Sequence, residues 1–413
     1  MLYSQLFTKT EKQAPADEVS LNAKLLIQGG FVDKLMSGVY SLLPLGLRVY
    51  KKIEQIIREE MNAIGGQELV MPSLHPKENW EKTGRWTTMD DLYQLKVDDK
   101  EYAIGPTHEE VISPIAKRYI FSYKDLPKYV YQFQTKFRNE KRAKSGVMRG
   151  REFSMKDLYS FHADQEDLDN FYDKAIVAYK KIFERCGIGN LTYLTYASGG
   201  TFSKYSHEFQ TLTKAGEDLI YICNKCRVAI NKEILDDLKS SCPVCGNKDL
   251  REEKAVETGN IFKLGTKYTE PFDLNYIDKD GNKNFVIMGC FGIGLTRLLG
   301  AITEASNDDR GIIWPEAVAP FKVNLISLKK NAETAKIYND LQQAGIEVLY
   351  DDRDEVSAGE KFADADLIGC PYRVVVSEKT LTENAVEVKK RSGDKCDLVK
   401  VKDLINFLLN NEL

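Results

Sequence analysis

The sequence predicts an α+β fold built on an antiparallel sheet, interrupted by a small cysteine module and followed by a separate C-terminal α/β domain. Three observations predict this: a strand–loop–strand hairpin over residues 129–160, two Cys-x-x-Cys pairs, and strands that alternate with helices after Pro320. With 413 residues, the chain is too long for one ordinary core. We expect the first domain to span residues 1–317, with the cysteine module at 218–255, and the last domain to span residues 318–413.

Composition leaves the binding partners of the chain open. The net charge is −4, but 58 lysines and arginines can still form a local basic surface for phosphates. Residues 1–20 mix charges and lack the apolar core of a signal peptide. The longest apolar stretch, residues 38–47, holds Pro44 and is too short to span a bilayer. The eight cysteines are not spaced like a secreted disulfide framework, which favours a cytoplasmic protein.

The first half of the chain combines a long helix with the hairpin. Apolar residues at helical spacing predict a helix over residues 45–64, which two glycines end. A strand over residues 68–71 follows and ends at Pro72. The hairpin consists of a strand over residues 129–137, a polar loop, and a returning strand over residues 152–160.

The later elements follow the same patterns. Residues 165–186 read as an amphipathic helix, and residues 285–289 as a short strand that glycines break before a helix over residues 295–305. The C-terminal domain is predicted to contain strands over residues 323–328, 347–350, 372–376 and 385–389, and helices over residues 332–344, 359–368 and 401–409.

The hairpin carries the first candidate site. Arg138 and Glu140 are two residues apart, so on a strand they would point to the same face. A guanidinium there suits a phosphate, because its planar fork donates two hydrogen bonds, and a carboxylate suits an exocyclic amine. Arg149 and Arg151 return on the other strand. A solvated, charged hairpin explains the same residues equally well.

A glycine segment leads into the helix that carries Arg297. Gly292 and Gly294 allow a backbone to approach a ligand closely. No Lys-Ser or Lys-Thr pair follows, so the segment is not a phosphate loop, and a plain strand–helix turn is an alternative. Cys290, within the segment, is interpreted as a small packing residue.

The paired cysteines indicate a metal. Cys223 and Cys226 form one pair, Cys242 and Cys245 the other, with fifteen residues between the pairs. Four thiolates at this spacing suit a tetrahedral zinc ribbon, and a closed site of four cysteines would be structural. Four ordinary free thiols are the alternative.

These segments, in this order, resemble class II aminoacyl-tRNA synthetases. Residues 38–72, 131–157 and 288–305 look like motifs 1, 2 and 3 of that class. The details are most similar to bacterial-type prolyl-tRNA synthetases: Gly-Pro-Thr-His-Glu-Glu at residues 105–110, Ser-His-Glu-Phe at residues 206–209, and the hairpin itself. Further runs, residues 350–355 and 359–366, resemble the anticodon-binding domain of that family.

The resemblance implies roles for individual residues. Arg138 and Arg297 would be catalytic, because they would hold the α- and γ-phosphates of ATP. The ATP site would comprise Arg138, Glu140, Arg149, Arg151, Thr201, Gly292, Gly294 and Arg297. The proline site would comprise Thr107, Glu109, Arg138, Phe153, Met155 and His207. The anticodon would contact Asp352, Arg353, Glu355 and Lys361. By position alone, His207, Phe153 and Met155 could equally be plain core residues.

The resemblance also implies a reaction and its partners. Proline would be activated with ATP and Mg²⁺ to an adenylate and then transferred to its tRNA, in a homodimer built through motif 1 and without a membrane. Residues 158–288 leave no room for the large editing domain that many bacterial-type relatives carry between motifs 2 and 3. Two alternatives stay open: a sibling synthetase for threonine, histidine or glycine, and a non-charging paralogue that binds tRNA.

Overall fold

In the computed structural model, which describes residues 1–16, 18–141, 143, 145–199 and 205–410, the chain forms two compact units. One comprises Leu35–Tyr40 and Ile53–Ala305, and the other comprises Met1–Lys34, Ser41–Lys52 and Ser306–Leu413. The α-helices in the described residues are α1 (Leu21–Gln28), α2 (Pro44–Ala63), α3 (Lys77–Lys82), α4 (Arg85–Thr88), α5 (Glu109–Ala116), α6 (Gln165–Arg185), α7 (Leu295–Ala305), α8 (Asn331–Gln343), α9 (Ala358–Ile368), α10 (Glu378–Thr382) and α11 (Leu404–Asn410).

The strands account for most of the remaining regular structure. In the first half of the chain they are β1 (Val32–Met36), β2 (Val39–Leu42), β3 (Gln67–Glu68), β4 (Leu74–Pro76), β5 (Tyr93–Val97), β6 (Lys100–Ile104), β7 (Lys128–Phe137), β8 (Glu152–His162), β9 (Thr192–Ser198) and β10 (Tyr205–Leu212). In the second half they are β11 (Asp218–Cys223), β12 (Ala229–Asn231), β13 (Leu250–Gly265), β14 (Asn275–Ile277), β15 (Lys283–Phe285), β16 (Ile287–Gly294), β17 (Asn307–Asp308), β18 (Gly311–Ile312), β19 (Val323–Ser327), β20 (Val348–Asp351), β21 (Tyr372–Val376), β22 (Ala385–Lys390) and β23 (Cys396–Lys400).

A largely antiparallel sheet forms the core of the larger unit. Its strand order is β10-β9-β12-β11-β13-β16-β8-β7-β3, and β10 also pairs with β13, which closes five of the strands into a ring. The predicted α+β class is confirmed. The predicted hairpin is β7 and β8, which pair antiparallel from Lys128 opposite Phe161 to Phe137 opposite Glu152. Helix α6 packs on this sheet through buried Leu168, Phe171 and Tyr179.

Helix α2 matches its prediction because the signals at its ends are strong. Pro44 is its first residue, where a missing N–H costs nothing, and Gly65 beyond it adopts φ +90°. Val49, Ile53 and Ile57 are buried along one face. The strand predicted at residues 68–71 is much shorter, because only β3 pairs with the edge of β7.

The glycine segment differs from its prediction. Gly292 and Gly294 do not break the strand, since β16 runs unbroken to Gly294 and pairs with β8 and β13 along its length. A Cβ on Gly292 would lie 2.7 Å from Oδ1 of Asn260 on β13. The glycines therefore allow close strand contacts instead of ending the strand.

The cysteine module is part of the main sheet and does not form a separate layer. Strands β11 and β13 flank it and pair antiparallel from Cys223 opposite Leu250 to Asp218 opposite Ala255. The module therefore sits at one end of the closed ring of strands.

The smaller unit contains the predicted α/β domain. Its sheet has the order β20-β19-β21-β22-β23, with parallel pairing between β19 and its neighbours β20 and β21. The prediction omitted β23 and α10. Residues 1–34, which were assigned to the first domain, pack in this unit: Leu2 bridges Tyr350 on the edge strand, and the Phe31 ring lies 5.3 Å from that of Trp314.

No helix within the described ranges is both long enough and apolar enough to cross a membrane.

Candidate active site

A cleft of about 690 Å³ opens on one face of the main sheet. Strands β7, β8, β13 and β16 supply its floor, and the α4 region and the turn before α5 supply a wall. Its charged and polar lining includes Arg85, Asp91, Thr107, Glu109, Lys136, Arg138, Asp157, Glu208, Glu257, Asn260 and Lys267. Four strands that meet along one face can hold these groups in a fixed arrangement.

Three buried polar atoms in the wall of the cleft lack a hydrogen-bond partner among the described residues. They are Oγ1 of Thr107, Oε2 of Glu109 and Nε of Arg138. Buried polar atoms are normally paired, because leaving one unpaired costs about 1–3 kcal/mol. Their convergence on one cleft indicates that a ligand completes their hydrogen bonding.

The other buried charges near these atoms have partners within the protein. Arg85 donates to both carboxylate oxygens of Glu110, at 3.0 and 3.2 Å, and Lys136 lies 2.9 Å from Asp157. Burial raises the pKa of Glu110, although Arg85 opposes that shift. Arg85 also lies 3.5 Å from Glu109, which is too far for a good hydrogen bond.

In this wall of the cleft, one carboxylate and one guanidinium keep a buried polar atom without a partner among the described residues, while other acids, such as Glu208 and Glu257, line the rest of the cleft. Glu109 is the carboxylate, and Arg138, whose nearest acid is Asp91 at 3.9 Å, is the guanidinium. A ligand with an ammonium and a carboxylate would satisfy both. The cleft is therefore complementary to a free amino acid.

A second recess of about 270 Å³ shares Arg138 and Glu257 with the cleft. Glu140, Arg149 and Arg297 also line it. Arg149 donates to Glu140 at 2.8 Å and pairs with Glu217. The guanidinium groups that line the recess suit a polyphosphate that extends from the amino-acid cleft.

Arg297 is anchored in this recess by the loop between β7 and β8 and by β13. Its Nε donates to the carbonyl of Met148 at 2.9 Å, and Nη1 donates to the carbonyl and the carboxylate of Glu257 at 2.8 and 3.0 Å. Helix α7, whose first turn carries Arg297, begins where β16 ends. Arg297 therefore lines the same recess as Arg138 and Glu140 of the hairpin.

Arg138 and Glu140 reach the recess by a different route from the one predicted. Strand β7 ends at Phe137, and the N–H of Glu140 donates to the carbonyl of Arg138 at 2.7 Å in a tight turn. Strand alternation therefore does not explain their shared face. Arg151 donates to the carbonyl of Glu140 at 3.0 Å, so it holds this turn and does not line the cleft or the recess.

Of the three side chains expected to enclose proline, only Met155 lines the cleft. Phe153 packs against the guanidinium of Arg138, 5.3 Å from ring centroid to Cζ, and supports that arginine from the side. His207 lies in a separate cavity of about 230 Å³ with Tyr172 and Tyr196. Its Nδ1 lies 2.8 Å from the Tyr172 hydroxyl, and burial lowers its pKa to about 4.

The neighbour of His207 takes the place in the cleft that was expected for the histidine. Successive residues of β10 point to opposite faces, so Glu208 faces the cleft while His207 faces away. Burial and the nearby Glu257 carboxylate raise the pKa of Glu208 to about 8. Glu208 is therefore largely protonated at neutral pH until a cation approaches.

The two glycines predicted in the ATP site, Gly292 and Gly294, lie in different places. Gly292 lines the cleft, whereas Gly294 lies beside Arg297 at the end of β16. Cys290, expected to be packing, instead lines the cleft floor against Glu109, and burial together with that carboxylate raises the pKa of its thiol. Thr201, predicted in the ATP site, lies outside the described residues.

The four paired cysteines converge as a metal site requires. Their sulfurs all lie within 4.8 Å of one another, with separations of 3.6 Å for Cys223 and Cys245 and 3.4 Å for Cys226 and Cys242. Tetrahedral zinc with four Zn–S bonds of 2.3 Å places its sulfurs about 3.8 Å apart. Asn247 donates to the sulfur of Cys223 at 3.5 Å, as a supporting group around a metal would.

The predicted anticodon residues lie together at the end of β20 but differ in exposure. Glu355 is exposed, and Asp352 accepts from both the backbone and the hydroxyl of Ser4. Arg353 is half-buried between Asp351 and Asp364. Lys361 is only 2% exposed and donates to the carbonyl of Ser327 at 2.7 Å, so the structure does not present it for direct contact with a base.

The chain matches two family models over most of its length. Residues 93–306 match the tRNA synthetase class II core domain (G, H, P, S and T), and residues 317–411 match the anticodon binding domain. A proline–tRNA ligase of Wolbachia sp. subsp. Brugia malayi is 40% identical over 427 residues, which cover 98% of this chain and 99% of that protein.

One longer relative contains residues that have no counterpart in this chain. The proline–tRNA ligase of Endomicrobium trichonymphae is 34% identical over 555 aligned residues, 97% of each chain. That alignment is far longer than 413 residues, so the relative carries well over a hundred residues that this chain lacks. A crystal structure of prolyl-tRNA synthetase from Cryptosporidium parvum, complexed with L-proline and AMP, has the same fold, with 18% identity, a TM-score of 0.76, and coverage of 94% of this chain and 74% of that one.

Proposed function

The chain belongs to the proline–tRNA ligase family of class II aminoacyl-tRNA synthetases, and we propose that its cleft and recess carry out both steps of proline transfer to tRNA. The enzyme attaches proline to its tRNA with ATP, and the alternative of a non-charging paralogue is not favoured. One observation supports our assignment of the site: Glu109 and Arg138, each with a buried polar atom that lacks a hydrogen-bond partner among the described residues, face one cleft beside the arginine-lined recess.

In the first step, the amino acid and ATP meet at Arg138. We assign the proline ammonium to Glu109 and Thr107, whose polar atoms are unpaired, and the proline carboxylate to Arg138. The recess then takes ATP, with Glu140 at the adenine amine, and Arg149 and Arg297 at the phosphates. The carboxylate attacks the α-phosphorus in line, the bond between the α- and β-phosphates breaks, and pyrophosphate leaves, while Arg138 stabilises the charge that grows on the phosphoryl oxygens.

ATP enters as its magnesium complex, and Glu208 and Glu257 are the carboxylates that we propose hold the ion. Both line the cleft, and Glu257 also lines the recess. An arriving cation would favour the ionised form of Glu208, which loses its proton as the complex forms. In the second step, the terminal ribose of the tRNA attacks the adenylate carbonyl, and AMP leaves.

The direct test is ATP–pyrophosphate exchange with a panel of amino acids. We expect proline to drive exchange far better than any other, with alanine giving a weak, measurable signal. Alanine lacks two ring methylenes of proline, and the pocket cannot exclude a smaller side chain. It can only lose the binding free energy of burying the missing groups, about 1–3 kcal/mol per methylene. The described residues of the interval 158–288 include strands of the catalytic sheet, the helix that packs on it, the cysteine module and the small hairpin of β14 and β15. Enzyme-dependent deacylation of alanyl-tRNA would contradict our proposal that no editing site is present.

We propose that the four cysteines bind one structural zinc ion, which would tie β11 and β12 to the start of β13. Elemental analysis of protein purified without chelator should give one zinc per chain. Replacing Cys242 with serine should speed amide exchange in β11 and β12 about tenfold or more, while β7 and β8 keep their protection. A zinc content near zero would refute the site, and uniform loss of protection would mean that it supports the whole unit.

The C-terminal unit is proposed to read the anticodon through the exposed end of β20. Glu355→Lys should lower kcat/KM for tRNA charging about 5- to 100-fold, because one base contact is worth about 1–3 kcal/mol. Proline-dependent exchange, which needs no tRNA, should be unchanged. The matched control is Glu383→Lys, an exposed charge reversal elsewhere in the same unit. Equal charging by both variants would exclude Glu355 from recognition.

Two properties of the whole protein remain proposals. Motif 1, residues 38–72, builds the dimer interface in class II synthetases, so we propose a homodimer. We also propose that the enzyme acts in the cytoplasm, where its product is consumed.

A further inference from the structure

The cleft floor holds a buried lysine that the mechanism above does not use. Lys136 is fully buried on β7, two residues before Arg138, and its ammonium lies 2.9 Å from Asp157 and 2.5 Å from Nδ1 of His108. A lysine buried in this way is costly unless it is paired and hydrogen-bonded. Two well-placed partners therefore indicate a defined role.

The hydrogen-bond directions around Lys136 are fixed by chemistry. An ammonium group can only donate, so Nδ1 of His108 accepts and the imidazole proton resides on Nε2. That nitrogen donates to the carbonyl of Pro72 at 3.1 Å. Burial, and then the charge of Lys136, lower the pKa of His108 to about 2, so the ring stays neutral and keeps its acceptor.

His108 is the central residue of the turn that carries the unpaired substrate-facing atoms. Thr107 precedes it and Glu109 follows it, at the start of α5. The backbone N–H of His108 donates to the Tyr159 hydroxyl at 3.1 Å. The turn is thus held to β8 through its backbone and to β7 through its side chain.

Asp157 completes the connection from the opposite side. Its Oδ2 accepts from the amide of Gln132 at 2.9 Å, and the carbonyl oxygen of that amide accepts from the backbone of Met71 at 2.9 Å. Because Asp157 is itself anchored, Lys136 has little freedom to move. These side chains therefore help to set the distance between the turn at 107–109 and the strand that leads to Arg138, together with the longer bonds from the Phe137 N–H to the Gly105 carbonyl at 3.3 Å and from Arg138 to the Pro106 carbonyl at 3.4 Å.

We propose that Lys136, acting through His108, is a positioning residue that sets the spacing between the ammonium site and the carboxylate site of the cleft. An amino acid holds its ammonium and carboxylate at a fixed separation, so Glu109 and Arg138 must match it. Lys136 is the side chain that joins the two elements carrying these groups. The inference rests on the proposed function, since it takes proline as the ligand of Glu109 and Arg138.

The test is steady-state exchange with Lys136→Met, which keeps the volume and removes the charge. We expect KM for proline to rise about 10- to 100-fold, as a misplaced binding group predicts, with KM for ATP unchanged within about twofold. The matched control is Lys156→Met. Lys156 is also fully buried, but it faces α6, where it donates to the Tyr179 hydroxyl at 2.7 Å and the Phe291 carbonyl at 3.0 Å.

Two histidine variants keep the inference testable if Lys136→Met does not fold. His108→Asn places an amide oxygen near the position of Nδ1 and keeps the acceptor for Lys136, whereas His108→Gln places its amide near Nε2. KM for proline should rise about tenfold more in His108→Gln than in His108→Asn.

The outcomes separate the two proposals. A proline KM that stays within twofold in Lys136→Met, or equal effects of the two histidine variants, would overturn the inference. If KM for proline and KM for ATP rise equally in both lysine variants, then Lys136 has only a general structural role. That result would also overturn the inference. Absence of proline-dependent exchange in the unaltered enzyme would instead refute the proposed function.

Discussion

Replacing Arg138 with alanine is expected to lower proline-dependent ATP–pyrophosphate exchange by about 10³-fold, or about 4 kcal/mol of transition-state stabilisation. The guanidinium lines both the cleft and the recess, so it is placed to contact the proline carboxylate and the α-phosphate together. Among the residues that the structure describes, none pairs with its buried Nε, and the Phe153 ring supports the guanidinium. The measurement is exchange at saturating substrates, with thermal unfolding recorded in parallel.

Two further arginine variants sharpen this result. Arg138→Lys keeps a positive charge but loses the planar fork, so exchange should recover only in part. Arg118→Ala removes an exposed arginine from the same unit and should leave exchange unchanged. Near-normal exchange by Arg138→Ala, in a folded protein, would show that another group bridges the two substrates.

Glu109→Gln should raise KM for proline by about 10²- to 10³-fold, because a buried ammonium would lose its partner charge, a loss of about 3–4 kcal/mol. KM for ATP should change little, since Glu109 does not line the recess. The folded protein should lose little stability, because within the described ranges Oε2 of this glutamate accepts no hydrogen bond and its nearest cation, Arg85, lies 3.5 Å away. Proline titrations of exchange, together with thermal unfolding, measure both effects.

The adjacent glutamate supplies a control with the opposite expectation. Glu110 accepts two hydrogen bonds from Arg85 and one from Thr83 at 2.9 Å. Glu110→Gln should therefore destabilise the folded protein by leaving Arg85 with an uncharged partner. If Glu109→Gln destabilises the protein as much as Glu110→Gln does, then Glu109 belongs to the core and is not a substrate ligand.

Sequence patterns predicted the fold where the signal was local. Helix α2 carried a proline at its start and a glycine after its end, and the hairpin of β7 and β8 carried long runs on both sides of a polar loop. The unbroken strand β16 was missed because glycine usually weakens a strand, whereas here neighbouring strands approach too closely for a side chain. The packing of residues 1–34 with residues 306–410 was missed because no local pattern reports a partner so distant in sequence.

The site was predictable where a residue type specified a chemistry, and less so where a face had to be chosen. Arg138 and Glu109 line one cleft, and the four cysteine sulfurs lie within 4.8 Å of one another. His207 was expected to enclose proline, but it lies in a separate cavity and its neighbour Glu208 lines the cleft. Strand alternation shows that only one of these two residues can face the cleft, but it does not show which one.

The packing of residues 1–34 has a consequence for synthesis on the ribosome. Leu2 bridges Tyr350, and Phe31 contacts Trp314, so residues 1–34 are synthesised well before these two partners. At ordinary synthesis rates, the delay is roughly 20–70 s. During this time Phe31, which is fully buried in the finished protein, lacks its contact with Trp314. The nascent chain therefore keeps part of this apolar packing unformed until the last domain emerges.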